Sequence, residues 1–351
     1  MQAHPLSLTA RTLYAELREL ALAIGATENI GALPGSIVHK TLGGRAYLYH
    51  QYRDLAGTTR QTYLGPDDEA TGALVARLHA RAQDRAADLQ RLDEVRAAFL
   101  AAGGTALAHG PFRVLRAFAD SGVLGPGVGR AVLVGTHAFI AMGNLLGVQW
   151  ASQVTTQDID VAAIRDINIA VPHPGLPAPD VLEQLGMGFI PVPSLDSRAP
   201  STSFRVRGQE LRVDLLTPLT GKETGKPVFV PALNAPAQAL RFLDYLLEDP
   251  LPVPLLSGTG IVLANIPRPA RFALHKLIVS ESRGEAFATK AEKDRRQAAQ
   301  LLEVLLEETP DSVQAAHAAL VSRGKGWTDR LDRAWKKMSP AIPPLPGTGN
   351  P

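Results

Sequence analysis

Apolar residues recur at two spacings along the chain, and the spacing changes in blocks. Between Thr9 and Ile24, Leu13, Leu17, Leu20 and Leu22 fall near one face of a helix. Between Gly31 and Gly65 the period drops to two. The runs Ser36–Thr41, Arg45–Arg53 and Thr59–Leu64 alternate, with Gly43-Gly44 and Ala56-Gly57 between them, which predicts a small antiparallel meander. A long polar helix follows over about Asp67–Ala101 and is ended by Gly103-Gly104.

From Ala106 to Pro218 strand and helix signals alternate. Ala131–Val134 reads as a short buried strand, Thr136–Leu146 as a buried helix, Asp158–Ile164 as a second strand and Pro179–Leu185 as a short helix. Phe204–Arg207 and Leu211–Leu216 flank Gly208-Gln209, a hairpin signal. The last third reads as mostly helical. Pro267 and Pro269 suit the first turn of a helix to about Val279, and further helices are predicted over Lys290–Glu308 and Asp311–Arg323. The tail from Ser339 is rich in Pro and Gly and is expected to be disordered. The division that results is 1–104 (helix, meander, long helix), 105–220 (core), 221–338 (helical lobe) and 339–351 (tail), with no internal repeat. The fold class is α+β with a mixed-sheet core.

Composition narrows the chemistry. The 351 residues are 45% hydrophobic and 20% charged, enough for two or three globular units. The formal charge is only +2, so a nucleic-acid surface has to be a local patch. The absence of cysteine excludes a disulfide scaffold, a thiol nucleophile and a thiolate zinc site. The nine histidines are scattered, and there is no Gly-x-x-x-x-Gly-Lys-Ser/Thr sequence for a P-loop. Ala131–Val154 carries no charge, but its Gly135, Gly143, Gly147, His137, Asn144 and Gln149 read as a strand, turn and helix rather than a membrane span. With no leader-like run at Met1, a cytoplasmic location is expected.

Asp158-Ile159-Asp160 lies in a β-prone apolar run, so its two carboxylates share one strand face. Holding both ionised side by side is costly unless a cation joins them, and hard oxygen ligands select Mg²⁺ or Mn²⁺. The plain alternative is an edge strand with both groups in solvent. Asp214 interrupts the apolar run Leu211–Leu216 and needs a partner there, either a metal shared with Asp158 and Asp160 or a salt bridge to Arg212 or Arg205. Val132-Leu133-Val134-Gly135-Thr136-His137 is a strand ending in Gly and a hydroxyl residue ahead of a helix. That arrangement suits close approach of a phosphate, or an ordinary strand-to-helix turn.

In this order, Gly135-Thr136, Asp158-x-Asp160 and Asp214 resemble the DNA polymerase β superfamily of nucleotidyltransferases. The wider wording, Gly135–Phe139 and Thr155–Asp160, looks like a bacterial nucleotidyltransferase-like branch related in style to abortive-infection toxin transferases. The resemblance runs from about Leu107 to Leu305 and includes Arg271–Leu277 and Lys293–Ala298. Thr136 stands where Ser is usual. His137 departs from many members and reads as a packed core residue. The resemblance implies transfer of a nucleoside monophosphate from a nucleoside triphosphate such as ATP to a hydroxyl of RNA, protein or a small molecule, with release of pyrophosphate. Asp158 and Asp160 would bridge two Mg²⁺ or Mn²⁺ ions and Asp214 would serve the acceptor hydroxyl. Gly135 and Thr136 would hold the β- and γ-phosphates, and Arg268, Arg271 and Lys276 would face the triphosphate. A binding or regulatory protein that has lost catalysis on this fold, and a metal-dependent hydrolase, are the competing expectations.

The meander carries Tyr47, Tyr49, Tyr52 and Tyr63 beside His39, Lys40, Arg45, Arg53 and Arg60. Aromatics beside cations suit an RNA acceptor presented by residues 35–65, while the same rings suit packing on a neighbouring helix or on a second subunit.

Overall fold

The computed structural model describes residues 3–28, 35–42, 45–53, 59–126, 130–151, 156–165, 176–193, 198–222, 225–284, 287–338, 342–343 and 345. The turns at Gly43-Gly44 and Ala56-Gly57, residue Thr155 and most of the tail lie outside them. Within the tail, Ile342 and Leu345 are buried in the main core, against the disorder expected from Ser339 onward.

A two-residue strand β1 (His4–Pro5) and helix α1 (Leu8–Glu28) open the chain. Strands β2 (Gly35–Leu42), β3 (Arg45–Arg53) and β4 (Thr59–Pro66) pair antiparallel in a sheet of their own. Helix α2 (Glu69–Ala101) starts at Asp68, whose Oδ1 accepts the Thr71 N–H at 2.9 Å and satisfies one of the free donors of the first turn. Its second half is anchored on α1. Leu92, Val95 and Phe99 recur at helical spacing and close a small core with Tyr14, Leu17 and Ile24 of α1.

Next come α3 (His109–Asp120), β5 (Val132–Val134), α4 (Gly135–Leu145), β6 (Val148–Gln149), β7 (Asp158–Ala162), α5 (Ala178–Gln184), β8 (Phe189–Pro191), β9 (Ser203–Val206) and β10 (Arg212–Pro218). They are followed by β11 (Val228–Val230), β12 (Ala235–Leu240), α6 (Leu243–Leu246), β13 (Leu251–Ser257) and β14 (Gly260–Ile266). Four helices end the chain: α7 (Pro269–Ser282), α8 (Ala288–Glu308), α9 (Pro310–Val321) and α10 (Lys325–Trp335).

The main sheet runs β11-β12-β10-β7-β5-β14-β13, with β9 and then β8 added beside the first half of β10. It is mixed. β10 lies parallel to β7 and β12, β14 lies parallel to β5, and β5 lies antiparallel to β7. Four strands from 228–266, beyond the boundary read at 220/221, complete the sheet. The prolines explain why that region did not read as strand. Pro252 and Pro254 lie in β13, a terminal strand, where a missing N–H costs no ladder bond if it faces outward. The hairpin β13–β14 also receives α1, through Leu256 in the small core, so the first helix is fastened to the main sheet.

β7 and β10 sit mid-sheet. Their inward residues Ile159, Val161, Val213 and Leu215 are fully buried. Phe139 of α4 stacks on Trp150 at 4.4 Å and faces Phe272 of α7 at 6.4 Å, tying the sheet to the C-terminal helices. Among the described residues no helix is long and apolar enough to cross a membrane.

Candidate active site

Alternation along β7 and β10 turns Ile159, Val161, Val213 and Leu215 to one side and Asp158, Asp160, Arg212 and Asp214 to the other. Register then places Asp158 beside Arg212 and Asp160 beside Asp214. Three carboxylates and one guanidinium thus occupy one patch of sheet, at the C-terminal end of β5 and the N-terminal end of α4. Asp158 is exposed and Asp160 half-buried. Burial pushes the Asp160 carboxyl up to about 6, reinforced by the negative charges of Asp214 and Asp158 and opposed by Lys276 and Arg212.

Gly135 allows this crowding. Its φ is +67°, and a Cβ placed there would stand 2.1 Å from Asp160 Oδ2. The residue after β5 must therefore be glycine both for the left-handed turn and for the space the carboxylate takes. Two residues on, His137 is 1% exposed and its Nδ1 donates to the Asp158 carbonyl at 3.0 Å. Burial lowers its pKa to about 4, so it is a neutral packed ring, as expected, that also anchors the start of β7. Thr136 is buried in the first turn of α4 and does not line the cleft described below.

The sequence left two partners open for Asp214. In the structure Arg212 Nε donates to Asp214 Oδ1 at 3.0 Å. Among the described residues no three carboxylate or imidazole groups converge as a ready-made metal site.

Asp160 and Gly135 form one wall of a cleft of about 770 Å³. The other walls come from the β12–α6 turn, α7 and α10, and carry Arg241, Lys276, Arg283, Arg330 and Arg333. Lys276 Nζ and Arg283 Nε are held by the two oxygens of Asp294 at 2.6 and 2.8 Å. Asp294 is 3% exposed, so the pair of cations compensates a carboxylate that burial alone could not tolerate. His275, beside Lys276, also lines the cleft. Its Nε2 is buried without a hydrogen-bond partner, and burial lowers its pKa to about 3.

Of the expected site residues, Gly135, Asp160 and Lys276 meet at the cleft, with Asp158 and Asp214 next to Asp160. Arg268 and Arg271 do not join them. Arg268 pairs with Asp249 at 2.8 Å, and Arg271 pairs with Glu248 at 2.7 Å while covering the Tyr245 ring. One residue along α7 is a turn of about 100°, which carries Arg271 away from the Phe272–Lys276 face. Asp294 went unread, although a signal exists. It shares the buried stripe of α8 with Gln297, Ala298, Leu301 and Leu305, where an acid needs a partner. Arg241, Arg330 and Arg333 come from distant segments and carry no comparable local signal.

A family described as nucleotidyltransferase matches residues 110–322, about three fifths of the chain and the part that holds both walls of the cleft except its α10 side. The chain belongs to this nucleotidyltransferase family. Its mixed α and β architecture with a mixed central sheet is consistent with that membership. No curated protein matches the chain. A solved structure, an antigenic nucleotidyltransferase-like protein from Paracoccidioides brasiliensis, is similar at 15% identity over 68% of this chain and 99% of that one, with a TM-score of 0.31, too distant to bear on the site.

Proposed function

We propose that this nucleotidyltransferase moves a nucleoside monophosphate from a nucleoside triphosphate to a hydroxyl acceptor, using Asp158, Asp160 and Asp214. One observation carries the reading: Asp160 and Asp214 stand in register, with Asp158 beside them, at a cleft whose far wall is cationic. The donor set fits a hard divalent ion. Three carboxylates share a sheet face, and the Asp160 carboxyl, raised first by burial, is raised further by the charges of Asp214 and Asp158, a repulsion that a cation would relieve. Asp158 and Asp160 would hold Mg²⁺ or Mn²⁺, with Asp214 joining them by leaving Arg212. Such an ion supplies positive charge at the α-phosphate.

The remaining work falls to side chains. Lys276 and Arg283 receive the β- and γ-phosphates, and Asp294 fixes both at once. The acceptor oxygen bonds to the α-phosphorus, the α–β bridging P–O bond breaks, and pyrophosphate leaves toward the cations. The hydroxyl proton passes to Asp214. RNA is the acceptor we favour, presented by β2–β4, where Lys40 Nζ lies 5.1 Å from the Tyr49 ring centre beside half-buried Tyr47.

A binding-only protein is the second reading, favoured by the Arg212–Asp214 pair that already engages one carboxylate. Incubation with each labelled nucleoside triphosphate, with and without Mg²⁺ and with and without tRNA, separates the two. Labelled RNA or another adduct that requires Mg²⁺ supports transfer. Mg²⁺-dependent binding with no product, under every condition, supports the second reading.

A further inference from the structure

The chain makes an unusual turn where β12 enters α6. Phe242 has φ +68°, a left-handed conformation that is a genuine outlier for a bulky aromatic residue. Such backbone persists only where the surroundings over-determine it, and it concentrates at ligand sites. Here the surroundings are specific. The Trp327 ring meets Phe242 edge-on at 4.7 Å and 84°, and the Arg330 guanidinium lies over the Phe242 ring at 5.1 Å. Trp327 is fixed in turn by Arg323 at 5.1 Å and by the Tyr245 ring at 5.8 Å. Rings and cations thus interlock from α6 to α10.

Phe242, Arg330 and Leu240 all line the cleft that holds Asp160 and Lys276. Leu240 is a large apolar residue left 39% exposed there. The cleft lining therefore carries two sets of side chains of different character. One is ionic, with Asp160, Lys276 and Arg283. The other offers an apolar side chain, a pinned ring and a planar guanidinium. A nucleotide has the same division, with charged phosphates at one end and a flat π-surface at the other. Guanidinium planes and aromatic rings are the protein groups on which bases stack.

We propose that Leu240, Phe242 and Arg330 form the seat of the nucleobase, so that α10 closes the nucleotide subsite whose phosphate end lies at Lys276. The inference rests on the nucleotide reading given above. Base stacking on such groups contributes about 5- to 150-fold in affinity.

The test measures binding of the four ribonucleoside triphosphates and of inorganic tripolyphosphate, all with Mg²⁺, by calorimetry. The parent should hold its tightest nucleotide more firmly than tripolyphosphate. Phe242→Gly fits the left-handed turn without strain and removes only the ring. It should cost about 10-fold or more for that nucleotide and leave tripolyphosphate unchanged, with Phe242→Trp restoring binding. Arg330→Gln, at a partly exposed position, gives a second reading of the same loss should Phe242→Gly fail to fold. Equal weakening of both ligands, no weakening of either, or a parent that holds the two equally well overturns the base seat while leaving a phosphate site. A parent that binds neither ligand removes the nucleotide reading and the seat with it.

Discussion

The two walls of the cleft are built in opposite ways. The acidic wall is two neighbouring strands, β7 and β10, whose period of two and parallel register set Asp158, Asp160 and Asp214 side by side on rigid backbone. The basic wall is assembled from the end of β12, α7 and α10, segments far apart in sequence, and its cations are held by ion pairs and ring contacts. Strand backbone positions the acids before any side chain is considered. The cations depend on the packing of three elements. Changes on the acidic wall should therefore act on turnover and spare the fold, and changes on the basic wall should act on nucleotide affinity.

The largest effect should come from Asp160→Asn. Turnover should fall at least about 10³-fold, a barrier rise of roughly 4 kcal/mol. The melting temperature without metal should hold or rise, since a carboxylate crowded by Asp214 and Asp158 has been neutralised. Steady-state kinetics beside thermal melts check both. Full turnover by this variant would sink the assignment of the acidic wall.

Gly135→Ala joins the two kinds of effect. The new Cβ meets Asp160 Oδ2 at 2.1 Å and sits at φ +67°. Strain of about 1–2 kcal/mol in stability is expected from the left-handed backbone. A further drop of about 10²-fold in turnover is expected as the carboxylate is displaced. The double variant with Asp160→Ala should recover part of the stability loss, because the clash goes while the strained φ stays. Simple additivity in that cycle would show that Gly135 does not press on Asp160.

How far the sequence foretold this site follows from the same contrast. Asp158, Asp160, Asp214 and Gly135 were legible because strand periodicity is local and a charge inside an apolar run is conspicuous. The central strands and the helices α1, α2, α4, α7, α8 and α9 were legible for the same reason. Strands β11 to β14 were not, since prolines and a short turn at Pro231–Leu233 masked their period. Arg268 and Arg271 read as triphosphate contacts because, with Lys276, they fall on the helix expected from Pro267 to about Val279, and Arg283 lies beyond its end. Helix rotation and the acids Glu248 and Asp249 took them elsewhere.

Lys276→Met probes the basic wall. The KM for nucleotide should rise about 10-fold with a smaller change in kcat, the pattern of uniform binding loss. Asp294 keeps Arg283 at 2.8 Å, so the buried carboxylate is not orphaned and the fold should survive. A fall in kcat at unchanged KM would move Lys276 to the transition state and erase the division between the walls.

The smallest effect concerns His275, the one cleft residue whose charge the basic wall forbids. Burial first, then Lys276 and Arg283, lowers its pKa to about 3, with Asp294 opposing. The ordinary value is 6.5, so below pH 6.5 the unfolded chain takes up a proton that the folded chain refuses. Stability contributed by the neutral ring is complete above pH 6.5 and is lost as pH falls toward about 3, at up to about 1.4 kcal/mol per pH unit. His275→Leu removes that proton from the balance. Because Nε2 has no hydrogen-bond partner, the substitution forfeits no bond at that atom, and the two proteins should melt at similar temperatures at pH 7.5. His137 and Asp160 titrate in both proteins, so their contributions cancel in the comparison. Melting curves from pH 7.5 to 4.5 should then diverge, with the Leu variant falling less steeply as acid is added. Parallel curves would mean that His275 takes up its proton in the folded state, which the cations around it should not permit.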